Sequence, residues 1–347
     1  MSKLTRFIVC FLGISVVLMV AVIGFPIDSR AACGAVSCFV TIGSQQQVPQ
    51  QGLLTTNFIY SYTPMTLPSG HTGIIAEADQ GTRRIIPGHH RELSTITNTY
   101  TLDANYGITD RLGLQVTLPY LTRNHDHFHR HGGADADLHQ FSDKGIGDVR
   151  ITTKYNVLPS IRSMVVLGFG VELPTGDTQQ VDKTGQILEP SGQLGRGQVG
   201  LIGSMYQAYE LIPHRLNQFV YASYRHTFKN NDGYQFGDEY IFNAGMNVVP
   251  IESLPWLAFT GQLNYRYMVH DLMSASLGTG PILDRAIPNT GSTWFGASPG
   301  VLVSFAETWQ AYFFAQVPLV RDANDNLAQG TSYTFGVTKY FQLGGKS

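Results

Sequence analysis

Charge is scarce in this 347-residue chain: Asp, Glu, Lys and Arg make up 14% of it, against about 25% in ordinary soluble domains. The formal net charge is only −2. So low a charge content suits a chain with little aqueous surface per residue, and the absence of a basic excess gives no footprint for a nucleic-acid partner. Long apolar runs are also lacking. One extends from Phe7 to Phe25 and none follows it, which excludes a bundle of membrane-spanning helices. Cysteine is limited to Cys10, inside that run, and to Cys33 and Cys38 in CGAVSC. The pair is a candidate for a small disulfide loop in an oxidising compartment. Two thiols alone lack the further ligands a metal needs, and no CxxCH haem site exists, so no cofactor is expected.

The first apolar run has a ready explanation. Lys3 and Arg6 precede it, and Pro26 and the small-x-small sequence Ser29-Arg30-Ala31 follow it, the pattern of a secretory signal. Residues 1–31 are therefore expected to be a cleaved signal peptide, with an uncleaved inner-membrane anchor as the alternative. Arg30 stands where a lipoprotein signal needs an apolar residue. Residues 32–54, including the polar GSQQQVPQQG, are expected to form a periplasmic N-terminal segment, and 55–347 the folded body.

Glycine is plentiful at 37, and tyrosine and phenylalanine number 17 and 19. The aromatics fall into alternating patterns. In TYTLDANYGITDRLGLQVTLPYL (99–121), Tyr100, Leu102, Ala104 and Tyr106 alternate with Thr101, Asp103 and Asn105, and after a tight turn Leu112, Leu114, Val116 and Leu118 alternate with Gly113, Gln115 and Thr117. This is strand periodicity on both sides of a hairpin. Twelve such segments are predicted: 55–63, 94–106, 111–121, 148–158, 164–174, 198–210, 216–228, 239–249, 256–269, 294–305, 309–320 and 331–341. Most are near or above the ~9–11 residues a tilted strand needs to cross a bilayer. Their connections alternate in length, short ones at 107–110, 159–163, 211–215, 250–255 and 306–308 and long ones between. Five short turns at one end and six long loops at the other is the asymmetry of a transmembrane barrel. The expected fold is all-β: an antiparallel up-and-down barrel of about twelve strands, of outer-membrane type. Segment 198–210 has no clear phase.

Mid-strand charges decide which face looks inward. Arg150, Lys154 and Arg266 share the polar face of their strands, and in lipid each would cost about 2–4 kcal/mol at the midplane. The polar face must therefore be the lumen. By phase it carries Asp103, Asn105, Gln115, Arg150, Lys154, Glu172, Arg225, Asn243, Gln262, Asn264, Arg266 and Gln316. Basic residues outnumber acidic ones in this set, which suits small neutral or anionic solutes. The alternative is that these charges pair, or the N-terminal segment enters, and the lumen closes. Tyr106, Tyr120, Tyr155, Tyr240, Tyr267 and Trp309, near strand ends, are candidates for interfacial girdles.

Three stretches, YGITDRLGLQVTLPYL (106–121), GIGDVRITTKYNVLP (145–159) and GFGVELPTGD (168–177), resemble the outer-membrane family described as meta-pathway phenol-degradation proteins. The resemblance implies an outer-membrane channel or transporter for small, often aromatic, compounds, and it transfers no site residues. An outer-membrane enzyme is disfavoured: a phospholipase-type barrel would need His and Ser two positions apart, and no histidine here has Ser at the second position after it. The expected setting is the outer membrane of a Gram-negative bacterium, in contact with lipid and lipopolysaccharide, as a monomer whose partner is a small-molecule solute.

The sharpest local signal lies outside the resemblance. NHDHFHRHGGADADLH (124–139) places His125, His127, His129 and His131 at alternate positions, with His139 beyond. In an extended segment the first four share a face, and imidazoles suit Zn, Cu or Ni. The sequence admits two readings, a solvated loop facing lipopolysaccharide and a metal-binding or adhesive surface element. RDANDNLAQG (321–330) has acidic spacing loosely like a calcium loop but lacks the closing Glu.

Overall fold

The computed structural model describes residues 39–181, 185, 187–276 and 280–343. The expected signal peptide and the Cys33 and Cys38 pair lie outside the described residues. Twelve antiparallel strands form the barrel: β1 (Leu53–Thr66), β2 (Arg84–Gly107), β3 (Leu112–His131), β4 (Val149–Asn156), β5 (Ser163–Leu173), β6 (Gly200–Ile212), β7 (Leu216–Thr227), β8 (Glu239–Val248), β9 (Leu257–Met268), β10 (Ser292–Phe305), β11 (Trp309–Asp322) and β12 (Ser332–Gln342). Each pairs with its neighbours in sequence, and β1 pairs with β2 on one side and β12 on the other. The sheet therefore closes and leaves no edge, as lipid requires, because no water is present there to satisfy an unpaired backbone group.

Side chains sort by the period of two. Phe58, Leu102, Phe169 and Phe259 point outward, half or more exposed, while their neighbours Asn57, Asp103 and Thr260 are buried inside. Tyr60, Tyr100 and Tyr120 lie at paired positions on three adjacent strands, with Tyr224, Tyr240 and Tyr267 similarly aligned on three others. These rows mark one interfacial level of the outer surface.

Connections are short at one end and long at the other. At the long-loop end β2 and β3 continue far beyond the tyrosine row. β2 has 24 residues, more than twice what a bilayer crossing needs. The region expected as a loop at 122–147 is instead a sheet: β3 runs on to His131, and a further strand, Ala134–Ile146, returns beside it. The other loops fold over the mouth. Three short strands, Tyr234–Gln235, Leu272–Ala275 and Leu283–Ala286, pair with one another, and Tyr234, Phe236, Met273 and Ile287 pack with Ala76, Ala78 and Ile85 into an apolar cap.

The N-terminal segment corrects the sequence reading. Residues 39–49, expected in the periplasm, run inside the barrel, and 50–52 lie at its rim against the turn at 107–110. Val40 and Ile42 pack against Ile59, Tyr312 and Phe314, and Val48 packs against Val166, Tyr206 and Phe219. Gly107 is required by this path, since a Cβ there would stand 2.1 Å from the Gln50 carbonyl oxygen. The segment also accounts for the missing phase of β6. Tyr206 and Ala208 are apolar but face inward, because the inserted chain gives them something to pack on.

The two faces respond differently to charge. Leu102→Arg, on the lipid side, is expected to lower folding stability by about 2–4 kcal/mol, and Thr101→Arg, on the inner side, by clearly less. Urea-dependent refolding into lipid vesicles measures both; equal losses would contradict the assignment of faces.

Candidate functional site

Three polar zones fill the barrel from the short-turn end upward. In the lowest, Asp103 sits fully buried and accepts hydrogen bonds from Asn57 Nδ2 (2.9 Å), Gln115 Nε2 (2.5 Å) and Thr117 Oγ1 (2.9 Å). The inserted segment is tied into this zone. Ser44 Oγ donates to Asn57 Oδ1, Asn105 Nδ2 donates to the Gln47 carbonyl oxygen at 2.9 Å, and the Lys154 ammonium donates to the Gln45 carbonyl oxygen. On the opposite wall the Thr41 amide donates to Gln262 Oε1 (2.9 Å), and Asn243 Nδ2 donates to Thr41 Oγ1 (2.8 Å). Asn264 connects Gln262 to Ser298, and Gln316 accepts from Gln329 Nε2.

The middle zone is a belt of ion pairs. Glu172 meets Arg150 (2.6 Å), Arg225 (3.3 Å) and Arg196 (3.8 Å), and Glu239 meets Arg225 (2.6 Å) and Arg266 (3.9 Å). Buried charges persist only when so compensated. Glu239 and Glu172 each sit between arginines and offset part of the positive charge, but four arginines to two glutamates leave an excess of it. Glu239 was legible, as it shares the phase of Asn243 on β8. Arg196 was not, since it enters from the loop after β5 and no periodicity governs it. Beside the inserted segment and below this belt remains a cavity of about 210 Å³. Arg150, Lys154, Arg225 and Glu239 line it, with Thr101, Gln115 and Ser204 among its neutral polar groups.

The upper zone is the mouth, above the tyrosine row. Here the extension of β2, β3 and Ala134–Ile146 brings His90 opposite His129, and Glu92 and His139 opposite His127. Of the alternating histidines, His125, His127 and His129 share an inward face. A β-bulge between Glu92 and Ser94 reverses the inward phase of β2, so the buried positions pass from Thr95 and Thr97 to Glu92 and His90. His89, His90 and Glu92 were missed because 64–93 reads as a loop ahead of a strand expected to begin at 94. Three groups of potential ligands result: Glu92, His125 and His127; His127, His129 and His139; His89, His90 and His129, with donor atoms inside each group within 4.8 Å of one another. His131 is exposed at the strand end and joins none of these groups among the described residues. Burial, with Arg123 and His90 nearby, pushes the His125 imidazole down to about 3, and burial together with Glu189 pushes Glu92 up to about 8. Next to this cluster lies a second cavity, of about 100 Å³, lined by His90, Glu92, His125, His127 and His129.

No protein-family model and no curated protein matches this sequence. Its likenesses are to solved structures. An outer-membrane channel from Pseudomonas putida F1 superposes with a TM-score of 0.58 at 12% identity, covering 87% of this chain and 100% of that one. A FadL homologue from Pseudomonas aeruginosa gives 0.42 at 8% identity, over 91% and 99%. The Ralstonia pickettii toluene transporter TbuX gives 0.40 at 9% identity, over 85% and 90%. The first likeness establishes the fold as that of an outer-membrane barrel.

The ion-pair belt yields a stability prediction. Glu172→Ala leaves Arg150, Arg196 and Arg225 without their shared carboxylate, and should cost about 3–5 kcal/mol. Glu252→Ala removes an exposed partner of Arg215 at the short-turn end and should cost about 0–1 kcal/mol. Equilibrium urea unfolding in vesicles compares them; equal costs would contradict the belt's role.

Proposed function

We propose that the protein is an outer-membrane channel for small solutes, with its long-loop end outside the cell and its short turns in the periplasm. The observation that carries this reading is the 210 Å³ cavity of mixed polar and apolar lining beside the inserted segment, in a barrel intermediate in girth between side-chain-filled eight-strand barrels and open sixteen-strand porins. The sorting of loop lengths supports the orientation, and the likeness to an outer-membrane channel supports the class. The resemblance of 106–121, 145–159 and 168–177 to meta-pathway phenol-degradation proteins favours small aromatic compounds among the solutes.

The charges on the cavity wall narrow the solute class. Arg150, Lys154, Arg225 and Glu239 line it; Arg225 binds the neighbouring Glu239, and the Arg150 and Arg225 guanidiniums also bind Glu172. Three cationic groups against Glu239 and Glu172 leave a small positive excess that suits a neutral or singly anionic solute, whereas a multiply charged one would have to break existing pairs. No group on this wall has the arrangement of a nucleophile and base, and the reading assigns the protein no chemistry.

Residues 39–46 act in this account as the constriction. In planar bilayers the intact protein should give a small conductance, and a variant lacking 39–46 a several-fold larger one, with heat-dependent gel mobility confirming that both barrels are folded. No conductance from either folded protein would overturn the channel reading.

A further inference from the structure

We propose that the mouth of the barrel is a binding site for divalent first-row transition-metal ions of the Zn²⁺ or Cu²⁺ class, with His127 and His129 as shared ligands. The proposal rests on the geometry of the mouth and is independent of the channel reading.

The decisive observation is His127. Its side chain is 7% exposed, yet neither ring nitrogen has a hydrogen-bond partner, an arrangement that native interiors avoid. Around it lie other imidazoles, none of which hydrogen-bonds to it. Ring centroids of His125, His129, His139 and His90 stand 5.0, 5.2, 5.6 and 4.7 Å from that of His127. A core histidine retained for packing would be expected to meet a carbonyl or carboxylate with at least one nitrogen. Here two carboxylates lie nearby, Glu92 on His125 at 3.2 Å and Glu189 on His90 at 3.1 Å; neither is a hydrogen-bond partner of His127, and Glu92 belongs to the same ligand group as His127. A cation placed among Glu92, His125 and His127 would take a lone pair from His127 and offset the buried carboxylate.

The donor set selects the metal. Imidazole-rich sites with at most one carboxylate favour Zn, Cu and Ni, whereas Ca²⁺ and Mg²⁺ demand oxygen ligands. Zn–N and Zn–O bonds of about 2.0–2.2 Å place ligand atoms within roughly 4.2 Å of each other, and small rotamer changes bring donors separated by up to 4.8 Å into that range. The scaffold suits such a role because the ligands come from three paired strands whose register fixes their spacing.

Because the groups share ligands, the arrangement specifies a stoichiometry. The Glu92 group and the His89 group have no residue in common, so two ions can be held together, while the central group uses a ligand of each. The full-length, tag-free protein in detergent should bind two Zn²⁺ per chain by equilibrium dialysis with metal analysis, unaffected by excess Mg²⁺. His127→Ala and His129→Ala should each reduce this to one, and the double variant to none. Cu²⁺ should give an electron paramagnetic resonance spectrum with nitrogen couplings that the double variant loses while its heat-dependent mobility stays that of a folded barrel. Absence of binding by the wild type, or undiminished binding by the folded double variant, would overturn the proposal and leave the histidines as packing.

Discussion

The pairing of β1 with both β2 and β12 is the constraint on which the rest of the molecule depends. Lipid offers no partner to a free amide or carbonyl, so a sheet that spans it must have no edge. Closure then divides every strand into an outer apolar face and an inner face that water reaches poorly. The inner polar groups have to satisfy one another. Asp103 with its three donors, the shared Glu172 and Glu239, and the backbone of 39–49 bound by Asn105, Lys154 and Asn243 are the ways this barrel meets that demand.

The same division explains how much could be read from the sequence. Strand number, alternation and the sorting of loops follow from local periodicity, and all twelve strands fall at the expected places. Inward residues such as Asp103, Asn243 and Gln262 follow from phase alone. Three features do not. Residues 39–49 enter the lumen because inward Ile59, Tyr206, Tyr312 and Phe314 need apolar cover, and those residues read in sequence as exceptions to the pattern. Residues 64–93 read as a loop, which hid Glu92 and His90 from the histidines they face, and the bulge after Glu92 reverses the phase that a longer β2 would have given them. Arg196 reaches the belt from a loop, where no period applies.

The interior thus separates two chemistries along one axis. In and below the belt, guanidinium and ammonium groups share fewer carboxylates, so the charge a solute meets is the small positive remainder. Above the tyrosine row the groups are imidazoles and carboxylates on a four-stranded extension, Ile74–Asp79, β2, β3 and Ala134–Ile146, where strand register dictates position. Loop 175–199 joins the zones. Its Arg196 binds Glu172 in the belt, and the carbonyls of Ser191 and Gln193 accept hydrogen bonds from Arg123 near the mouth.

The central claim is that solute passes along the wall lined by Thr101 and not merely through defects around the barrel. The most direct measurement is current through single-cysteine variants in a Cys33→Ser, Cys38→Ser background before and after a small charged thiol reagent. Modification of Thr101→Cys, on the cavity wall, should reduce the current, and that of Leu102→Cys, on the lipid face, should leave it unchanged. Current that is indifferent to a verified modification at position 101 would contradict the account.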